Sequence, residues 1–190
     1  MFEGASSLGG TWASHRLYPG LKSNNLLGTY QYPDFPMDSG RFAVKLGQHI
    51  PGEVLHTYLE TYAKEFDIFR LIRFNSRVTT AEHQESGEDA GGWTLTVMDS
   101  TTGRESRVFA RRVVIASGLT SEARPLPDFK GQESFEGPIF HGKDFLDYRH
   151  TIEKGKTVTI FAGSKLAWDA MYSYATAGVK VNWVIRGMSY

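Results

Sequence analysis

An α/β fold is predicted by three observations. Residues 157–185 read as strand, tight turn, helix and strand, which is the order of a βαβ unit. Residues 69–110 contain short segments in which apolar and polar side chains partly alternate, a pattern typical of a β-meander. Residues 113–116, Val-Val-Ile-Ala, form a continuous apolar run that predicts a strand buried on both faces of a parallel sheet.

The composition excludes several classes of protein. The 190 residues include 21 basic and 21 acidic side chains, so the chain lacks the excess positive charge that drives nucleic-acid binding. The absence of cysteine excludes a disulfide scaffold, a zinc–thiolate site and a cysteine nucleophile. No apolar run reaches the roughly 20 residues that span a bilayer, and the first ten residues lack the features of a signal peptide. We therefore expect a cytoplasmic protein with no nucleic-acid partner and no membrane segment in this chain.

The first half of the chain divides into loop, helix and strands. Turn-forming residues are frequent in the first fifty positions, which are predicted as loops whose aromatic side chains need a folded segment or a flat ligand to pack on. Helical spacing of apolar residues predicts a helix over 52–66, with Pro51 at its start. Four short strands are predicted after it: Phe69–Ile72, Arg77–Ala81, Trp93–Val97 and Arg107–Ala110.

The second half returns to loop over 119–156 and then enters the βαβ unit. Its elements are predicted as follows: strand Thr157–Phe161, turn Ala162–Ala167, helix Ala167–Ala177, helix end Gly178 and strand Lys180–Ile185.

The turn of the βαβ unit is a candidate phosphate site. Dinucleotide-binding folds place G-x-G-x-x-G/A here, so that backbone N–H groups and the helix N-terminus meet a pyrophosphate. This chain has Ala162-Gly163-Ser164-Lys165-Leu166-Ala167, in which Ala162 and Ser164 replace the two leading glycines. Ser164 and Lys165 can donate to phosphate, and Arg186 follows the second strand, where an adenosine 2′-phosphate would lie. From these residues alone, a βαβ unit without a ligand and a solvated charge at Arg186 are equally good interpretations.

A similar pattern occurs at the N-terminus. Phe2 and Glu3 have the character of the last residues of a strand in a second dinucleotide-binding unit, where a glutamate accepts hydrogen bonds from a ribose diol. Gly9 and Gly10 would let the backbone pass close to a cofactor. Taken alone, Glu3 is more often a solvated charge.

The histidines predict neither a metal site nor an acid–base group. The six histidines show no metal-ligand spacing, so we predict no metal. His141 has no carboxylate at triad-like spacing, and a structural role is the better prediction for it.

Longer motifs carry a family resemblance. Phe135, Gly137, His141 and Phe145 occupy every fixed position of the fingerprint F-x-G-x-x-x-H-x-x-x-[YF], and residues 3–12 fit E-x(5)-G-G-x-W. In order along the chain, these motifs resemble those of the flavin-containing monooxygenase family. Four further segments are similar to it: residues 17–24 and 32–36 to the loop over the flavin, 114–118 to a strand end, and 163–186 to the opening of the NADPH domain.

The resemblance implies a partial two-dinucleotide-binding-domain (Rossmann-like) flavoprotein with a β-meander insertion. Residues 1–150 would be a partial FAD-binding domain without its first strand and phosphate loop, and 151–190 the opening βαβ unit of an NADPH-binding domain. The implied cofactors are FAD and NADPH, and the implied partners are O2 and a small-molecule substrate. The implied activity is that of an N,N-dimethylaniline-type monooxygenase, which oxygenates a soft N or S nucleophile through a flavin C4a-hydroperoxide.

The resemblance also implies roles for individual residues. Glu3 would hold the FAD ribose, and Asn24 would be the catalytic amide near the oxygen-reacting edge of the flavin. The remaining residues would contact cofactors: Gly9, Gly10 and Trp12 on FAD; Ser164, Lys165 and Arg186 on NADPH. The closing Phe145 favours N or S oxygenation, because ketone-oxygenating relatives have Trp at that position.

Departures from the family pattern leave alternatives open. The first strand and the G-x-G-x-x-G loop, expected upstream of Glu3, are not in this sequence. We therefore expect a truncated form that retains FAD weakly or not at all, since that loop anchors the pyrophosphate. One alternative is a non-catalytic remnant or interaction module that associates through exposed sheet edges. Another is a ketone-oxygenating relative.

Overall fold

The computed structural model of the chain describes residues 1–87, 90–118, 124, 126–154 and 157–187. These residues form two compact units, each assembled from separate stretches of sequence. Unit 1 takes its described residues from 1–14, 32–37 and 54–121, and unit 2 takes them from 15–31, 38–53 and 122–190. The division into an FAD-binding part over 1–150 and an NADPH-binding part over 151–190 stays a prediction.

Helices and strands of both units are numbered along the chain. The helices are α1 (Ser39–Phe42), α2 (Gly52–Glu65), α3 (Thr151–Lys154) and α4 (Lys165–Thr176). The strands are β1 (Lys22–Leu26), β2 (His49–Pro51), β3 (Ser76–His83), β4 (Trp93–Asp99), β5 (Glu105–Ala110), β6 (Thr157–Phe161) and β7 (Lys180–Val184). Nowhere in the described part of the chain is a helix long and apolar enough to cross a bilayer.

An antiparallel meander in the order β3-β4-β5 occupies much of unit 1. Its central strand buries Leu95 and Val97, two positions apart, so alternate side chains enter the core. The turn between β4 and β5 is fixed by Asp99, whose Oδ1 accepts hydrogen bonds from the backbone N–H groups of Thr101 (2.8 Å) and Thr102 (3.1 Å). Hydrogen bonds from Thr101 lower the pKa of the exposed Asp99 carboxyl below its ordinary value.

Aromatic side chains of residues 32–37 pack on α2 within unit 1. The buried Tyr58 hydroxyl accepts the backbone N–H of Tyr32 (2.7 Å) and donates to the carbonyl of Phe35 (2.6 Å). The ring of Phe35 lies 5.2 Å from that of Tyr58 and 5.6 Å from that of Tyr62. Burial raises the pKa of Tyr58 above its ordinary value. The sequence predicts that these aromatic side chains pack on a folded segment or on a flat ligand. Phe35 packs on a folded segment, helix α2.

The strands β1 and β2 pair antiparallel in unit 2, with Lys22 opposite Pro51 and Leu26 opposite His49. Ser23 is the one buried residue of β1. Its hydroxyl accepts the backbone N–H of Ile50 (3.1 Å) and donates to the carbonyl of Asn25 (2.5 Å). A single side chain thus satisfies backbone groups of both strands where the ladder is irregular.

The predicted βαβ unit is confirmed. Strands β6 and β7 pair in parallel, with Thr157 opposite Lys180 at one end and Phe161 opposite Val184 at the other, and α4 connects them. Helix α4 buries Ala167 and Tyr174, and the chain leaves it at Gly178, which has a φ of +77°. The helix begins at Lys165, two residues earlier than predicted, because Ser164 serves as its N-cap.

Several sequence predictions are wrong. Residues Phe69–Leu71 form a 3-10 helix instead of a strand, since the N–H of Leu71 bonds locally to the carbonyl of Ile68 (2.8 Å). Residues 113–116 form no strand, and Val114 and Ile115 are 89% and 84% exposed. A strand buried on both faces needs a partner on each side, and within the described residues none pairs with this run.

The first fifty residues also hold structure where only loops were predicted. They contain β1, α1 and β2. Helix α1 is capped by Asp38, whose Oδ1 accepts from the N–H groups of Gly40 (2.9 Å) and Arg41 (3.0 Å). The helix over 52–66 and the strands β3, β4 and β5 were predicted correctly to within two residues.

Replacing Ser23 by Ala tests the role of its hydroxyl. The change leaves the N–H of Ile50 buried without its partner, so we expect the free energy of unfolding to fall by about 1–3 kcal/mol. The measurement is chemical denaturation followed by far-UV circular dichroism. Ser39→Ala, at an exposed position of unit 2, is the control and should change stability by less than about 0.5 kcal/mol. Equal effects of the two variants would contradict the assignment.

Candidate functional site

Glu3 is held rigidly in unit 1. Its backbone N–H donates to the carbonyl of Arg73 (2.9 Å), and its carbonyl accepts from the N–H of Ser76 (2.8 Å). Phe2 forms a parallel bridge with Arg73, which fits the predicted strand end. The half-buried carboxylate accepts the N–H of Ala5 through Oε1 (2.9 Å). This carboxylate is therefore oriented, as a group that binds a diol must be.

A tight turn follows at Gly9 and Gly10. Gly9 has a φ of +112° and Gly10 a φ of +56°, and a 3-10 turn runs over Gly10–Trp12. The carbonyl of Gly9 accepts the N–H of Trp12 (2.9 Å). A Cβ on Gly9 would lie 3.1 Å from the carbonyl carbon of Trp12 and from the nitrogen of Ala13, whereas one on Gly10 would meet nothing within 4 Å. Glycine is therefore required at position 9 both by backbone angle and by space.

The N-terminus of α4 forms the corresponding feature of unit 2. The exposed Ser164 caps the helix, and its Oγ accepts the N–H of Ala167 (3.4 Å). The first N–H groups of an α-helix have no intrahelical acceptor, and the helix dipole favours an anion there. Ala162, where the dinucleotide pattern has its first glycine, has a φ of +155°, which strains a residue with a Cβ.

Lys165 and Asp169 form an ion pair on the first two turns of α4. The Lys165 ammonium also donates to the backbone carbonyl of Lys22 in β1 (2.7 Å). The Tyr18 hydroxyl donates to Oδ2 of Asp169 (2.5 Å). Burial, and then the hydrogen bond to Asp169, raise the pKa of Tyr18 well above its ordinary value, so the phenol stays protonated.

The other predicted residues of unit 2 lie at exposed positions. Asn24 is in β1, two residues after Lys22, while the intervening Ser23 faces the interior. Arg186 is exposed and follows the end of β7 by two residues. Unit 2 thus links Lys165 to the strand that carries Asn24, whereas Glu3, Gly9, Gly10 and Trp12 belong to unit 1.

Two residues of this arrangement were missed by the sequence analysis. Asp169 could have been found, because a basic and an acidic residue four positions apart on a helix form a neighbouring pair. Tyr18 could not, because 151 residues separate it from Asp169.

The fingerprint segment is structural in unit 2. The ring of Phe145 is 1% exposed, and its centroid lies 5.6 Å from that of Tyr18 and 5.5 Å from that of Tyr174. His141 accepts the N–H of Lys143 at Nδ1 (3.1 Å) and so caps the turn over Gly142–Asp144. Phe145 therefore packs in the interior of unit 2, and His141 caps a local turn; the structural role of His141 stays a prediction.

An open cavity of about 540 Å³ lies along the second half of α4 and the start of β7. None of the predicted site residues lines it; its walls are Met171, Ala175, Gly178, Val179, Lys180, Val181 and Trp183. In the part of the chain that the structure describes, no group of histidine and carboxylate residues could hold a metal ion.

A parallel βαβ unit with a capped helix N-terminus, and a fixed glutamate before a glycine turn, define a protein of the dinucleotide-binding α/β class. The family model described as flavin-binding monooxygenase-like matches residues 2–175. The chain therefore belongs to the flavin-binding monooxygenase-like family, as the resemblance implied.

Individual relatives agree with this assignment. The chain is 36% identical over 189 residues to the FAD-dependent monooxygenase resA of Aspergillus sclerotiorum, covering 97% of this chain and 31% of that protein. It is 37% identical over 195 residues to an FAD-dependent monooxygenase of Pyrenophora dematioidea, covering 97% of this chain and 34% of that protein. The chain thus spans about a third of the length of these relatives.

Solved structures share the Rossmann-like α/β fold. Tmm from Pelagibacter sp. strain HTCC7211 superposes with a TM-score of 0.80 at 24% identity, over 98% of this chain and 44% of that one. At this identity, the similarity is evidence for the fold only. A cyclohexanone monooxygenase from Rhodococcus sp. Phi1 bound to NADP+ superposes with a TM-score of 0.68 at 26% identity, over 99% of this chain and 33% of that one.

Substituting the two glycines separately tests the turn. Gly9→Ala should lower the free energy of unfolding by about 2–3 kcal/mol, since strain and a backbone clash act together. Gly10→Ala, with open space around it, should cost only about 1 kcal/mol. Urea denaturation of the two variants measures the difference. Equal losses would mean that the space around Gly9 relaxes and that the clash is absent.

Ala162→Gly tests the strain at the start of the α4 turn. Because Ala162 occupies a φ that glycine tolerates, the substitution should raise the free energy of unfolding by about 1 kcal/mol. Ala170→Gly, within α4, is the matched control and should lower it by about 1 kcal/mol. Thermal and urea denaturation report both values. A lower free energy of unfolding in Ala162→Gly would show that the backbone at Ala162 is not strained.

Proposed function

We propose that this chain is part of an FAD- and NADPH-dependent monooxygenase that oxygenates a soft N or S nucleophile. The observation that carries the proposal is the Glu3 carboxylate, which accepts the N–H of Ala5 and precedes the glycine turn by six residues. A fixed carboxylate followed by close-approaching backbone suits a ribose and its neighbouring phosphates. The names of the relatives, which are FAD-dependent monooxygenases, and the NADP+-bound neighbour support the same cofactors.

The residues on the flavin side are Glu3, Gly9, Gly10, Trp12 and Asn24. The carboxylate of Glu3 would accept hydrogen bonds from the two ribose hydroxyls. Gly9 and Gly10 have no side chain to hold a flat cofactor away from the backbone, and Trp12 offers an apolar surface. The amide of Asn24 is exposed on β1 and can both donate and accept a hydrogen bond at the reacting edge of the flavin.

The residues on the nicotinamide side are Ser164, Lys165 and Arg186. The Ser164 hydroxyl and the first N–H groups of α4 would hold a pyrophosphate. The guanidinium of Arg186 would form a paired contact with the 2′-phosphate, which distinguishes NADPH from NADH. Lys165 has the motif position of a phosphate ligand, but its ammonium is already engaged by Asp169 and by the carbonyl of Lys22 and is not needed for the proposed nucleotide contacts.

The cofactors would supply the redox chemistry, and the protein would supply binding and orientation. Bound FAD would supply the activation of O2, for which we propose the C4a-hydroperoxide route, and NADPH would supply the electrons. Neither role requires an acid–base side chain, which agrees with the capping role of His141. The proposed partners are O2 and a small-molecule substrate, and we propose the cytoplasm as the site of action.

Titration of the chain with FAD, followed by flavin fluorescence, tests the proposal. We expect this chain to bind FAD weakly, and Glu3→Gln should lower the affinity about tenfold further, because hydrogen bonds to a charged acceptor are lost. Glu133→Gln, an exposed carboxylate of unit 2, is the control and should leave the affinity unchanged. Identical affinities of wild type and Glu3→Gln for FAD would contradict the role of Glu3, and absence of FAD binding would favour the second candidate function, binding without catalysis.

NADPH oxidation in the presence of two substrates tests the reaction. We expect NADPH to bleach the bound flavin and air to restore its colour, with conversion of a thioether to its sulfoxide. Cyclohexanone is offered in parallel, since a cyclohexanone monooxygenase shares the fold at 26% identity. Oxygenation of cyclohexanone without oxidation of the thioether would favour the ketone-oxygenating alternative.

A binding role without catalysis is a second candidate function. The observation that favours it is the exposure of large apolar side chains on the βαβ unit, among them Phe161 at 59% and Tyr172 at 67%. Monomeric proteins rarely leave contiguous apolar surface uncovered. A chain that binds no FAD but self-associates in analytical ultracentrifugation would favour this candidate.

A further inference from the structure

We infer that Lys165 is a positioning residue, one of three residues on a polar stripe of α4 that hold the segment carrying Asn24. The stripe consists of Lys165, Asp169 and Ser173. It contacts Tyr18, Pro19 and Lys22 and so holds the start of β1, and the residues just before it, against α4. This inference rests on the proposed function for the roles of Asn24 and Ser164, whereas the contacts themselves are independent of it.

The stripe follows from helical geometry. Its members are four residues apart, so they lie on one face of α4, about one turn from each other. Each of the three contacts a different point of the same segment. Lys165 donates to the carbonyl of Lys22 (2.7 Å), Asp169 accepts from the hydroxyl of Tyr18 (2.5 Å), and Ser173 donates to the carbonyl of Pro19 (3.1 Å).

The ammonium of Lys165 is poorly placed to bind phosphate. It is already engaged by the carboxylate of Asp169 and by a backbone carbonyl, two acceptors for its three donors. The Asp169 side chain is only 18% exposed, so its charge is weakly solvated and needs the ammonium nearby. An incoming phosphate would also meet repulsion from this carboxylate.

Tyr18 fixes the opposite end of the segment. Its ring is buried and packs against Phe145, so the hydroxyl reaches Asp169 from a rigid base. A Cβ on Gly20 would lie 3.3 Å from Oγ of Ser173, so the backbone also approaches the helix closely at that point. The segment therefore has little freedom to move along α4.

The arrangement links the two predicted sides of the reaction. Lys165 follows Ser164 directly, and Lys22 precedes Asn24 by two residues in the same strand. Because strand backbone is extended and Asn24 follows Lys22 by two residues in β1, displacement of Lys22 would be passed along the strand to Asn24. Loss of Lys165 should therefore disturb Asn24 more than nucleotide affinity.

Amide hydrogen exchange of the full chain, measured by NMR, tests the contacts without any cofactor. Lys165→Met should accelerate exchange about tenfold at Leu21, whose N–H bonds to the carbonyl of Tyr18, and at Gly52, whose N–H bonds to the carbonyl of Leu21. Leu95 and Val97 of β4 should keep their rates. Lys180→Met, at an exposed position of β7, is the control. Unchanged rates at Leu21 and Gly52 would overturn the inference.

Two further variants keep the test valid if Lys165→Met does not fold. Tyr18→Phe removes only the hydroxyl that donates to Asp169. Its matched control is Tyr172→Phe, at an exposed tyrosine of α4. Lys165→Arg retains the cation and should restore slow exchange. Acceleration in Tyr172→Phe equal to that in Tyr18→Phe, or no rescue by Lys165→Arg, would overturn the inference.

Titration with NADP+ distinguishes positioning from phosphate binding. Lys165→Met should change the NADP+ dissociation constant less than about threefold, whereas a lost charge-assisted phosphate contact would raise it tenfold or more. A loss of tenfold or more would overturn the inference. If wild type binds no NADP+, the proposed function fails on its own, and the exchange rates still decide whether the stripe holds β1.

Discussion

A weakly solvated carboxylate must be hydrogen-bonded, and much of unit 2 is organised around meeting this requirement for Asp169. The side chain is 18% exposed and obtains its donors from Tyr18 and Lys165. Tyr18 can serve only because its ring is anchored against Phe145, which in turn packs on Tyr174 of α4. One charge thereby ties together the segment before β1, the fingerprint segment and the helix of the βαβ unit. Removal of either donor would be costly, because the Asp169 carboxylate is too little exposed for water to replace the lost hydrogen bond fully.

The elements that could be predicted from sequence are those whose pattern is local. Apolar periodicity identified α2, alternation identified β3, β4 and β5, and the strand–helix–strand order identified β6, α4 and β7. Strands β1 and β2 were missed because three to five residues carry too little pattern, and the pairing depends on the buried hydroxyl of Ser23. Residues 113–116 show the opposite error. An apolar run shows that burial would be favourable, but burial requires neighbouring strands to pair with the run and other elements to cover its two faces.

The residues of the candidate site can also be divided into those that a local sequence pattern reveals and those that it does not. Glu3, Gly9 and Ser164 were found because short motifs place a carboxylate, a turn residue and a helix cap at fixed offsets. Each of them has a local role in the structure. The carboxylate of Glu3 is oriented by Ala5, a Cβ at position 9 would crowd the backbone of Trp12 and Ala13, and Ser164 is the N-cap of α4. Tyr18 was not found, because its partner lies 151 residues away and tyrosine in a loop has no signature of its own. Lys165 was found, but its motif position does not reveal that Asp169 holds its charge.

The burial of Phe145 changes how the fingerprint relates to substrate preference. A ring that is 1% exposed, between Tyr18 and Tyr174, has no surface left with which to contact a substrate. Any influence of this position on substrate class must therefore be transmitted through its neighbours. Trp at this position would need extra volume in a closely packed interior, and Tyr18 is the neighbour that leads towards β1. Because the Tyr18 hydroxyl binds Asp169, a displaced ring would alter the polar stripe and with it the strand of Asn24. If Asn24 has its proposed role, the closing aromatic residue would act on the position of Asn24 rather than by contact with the substrate.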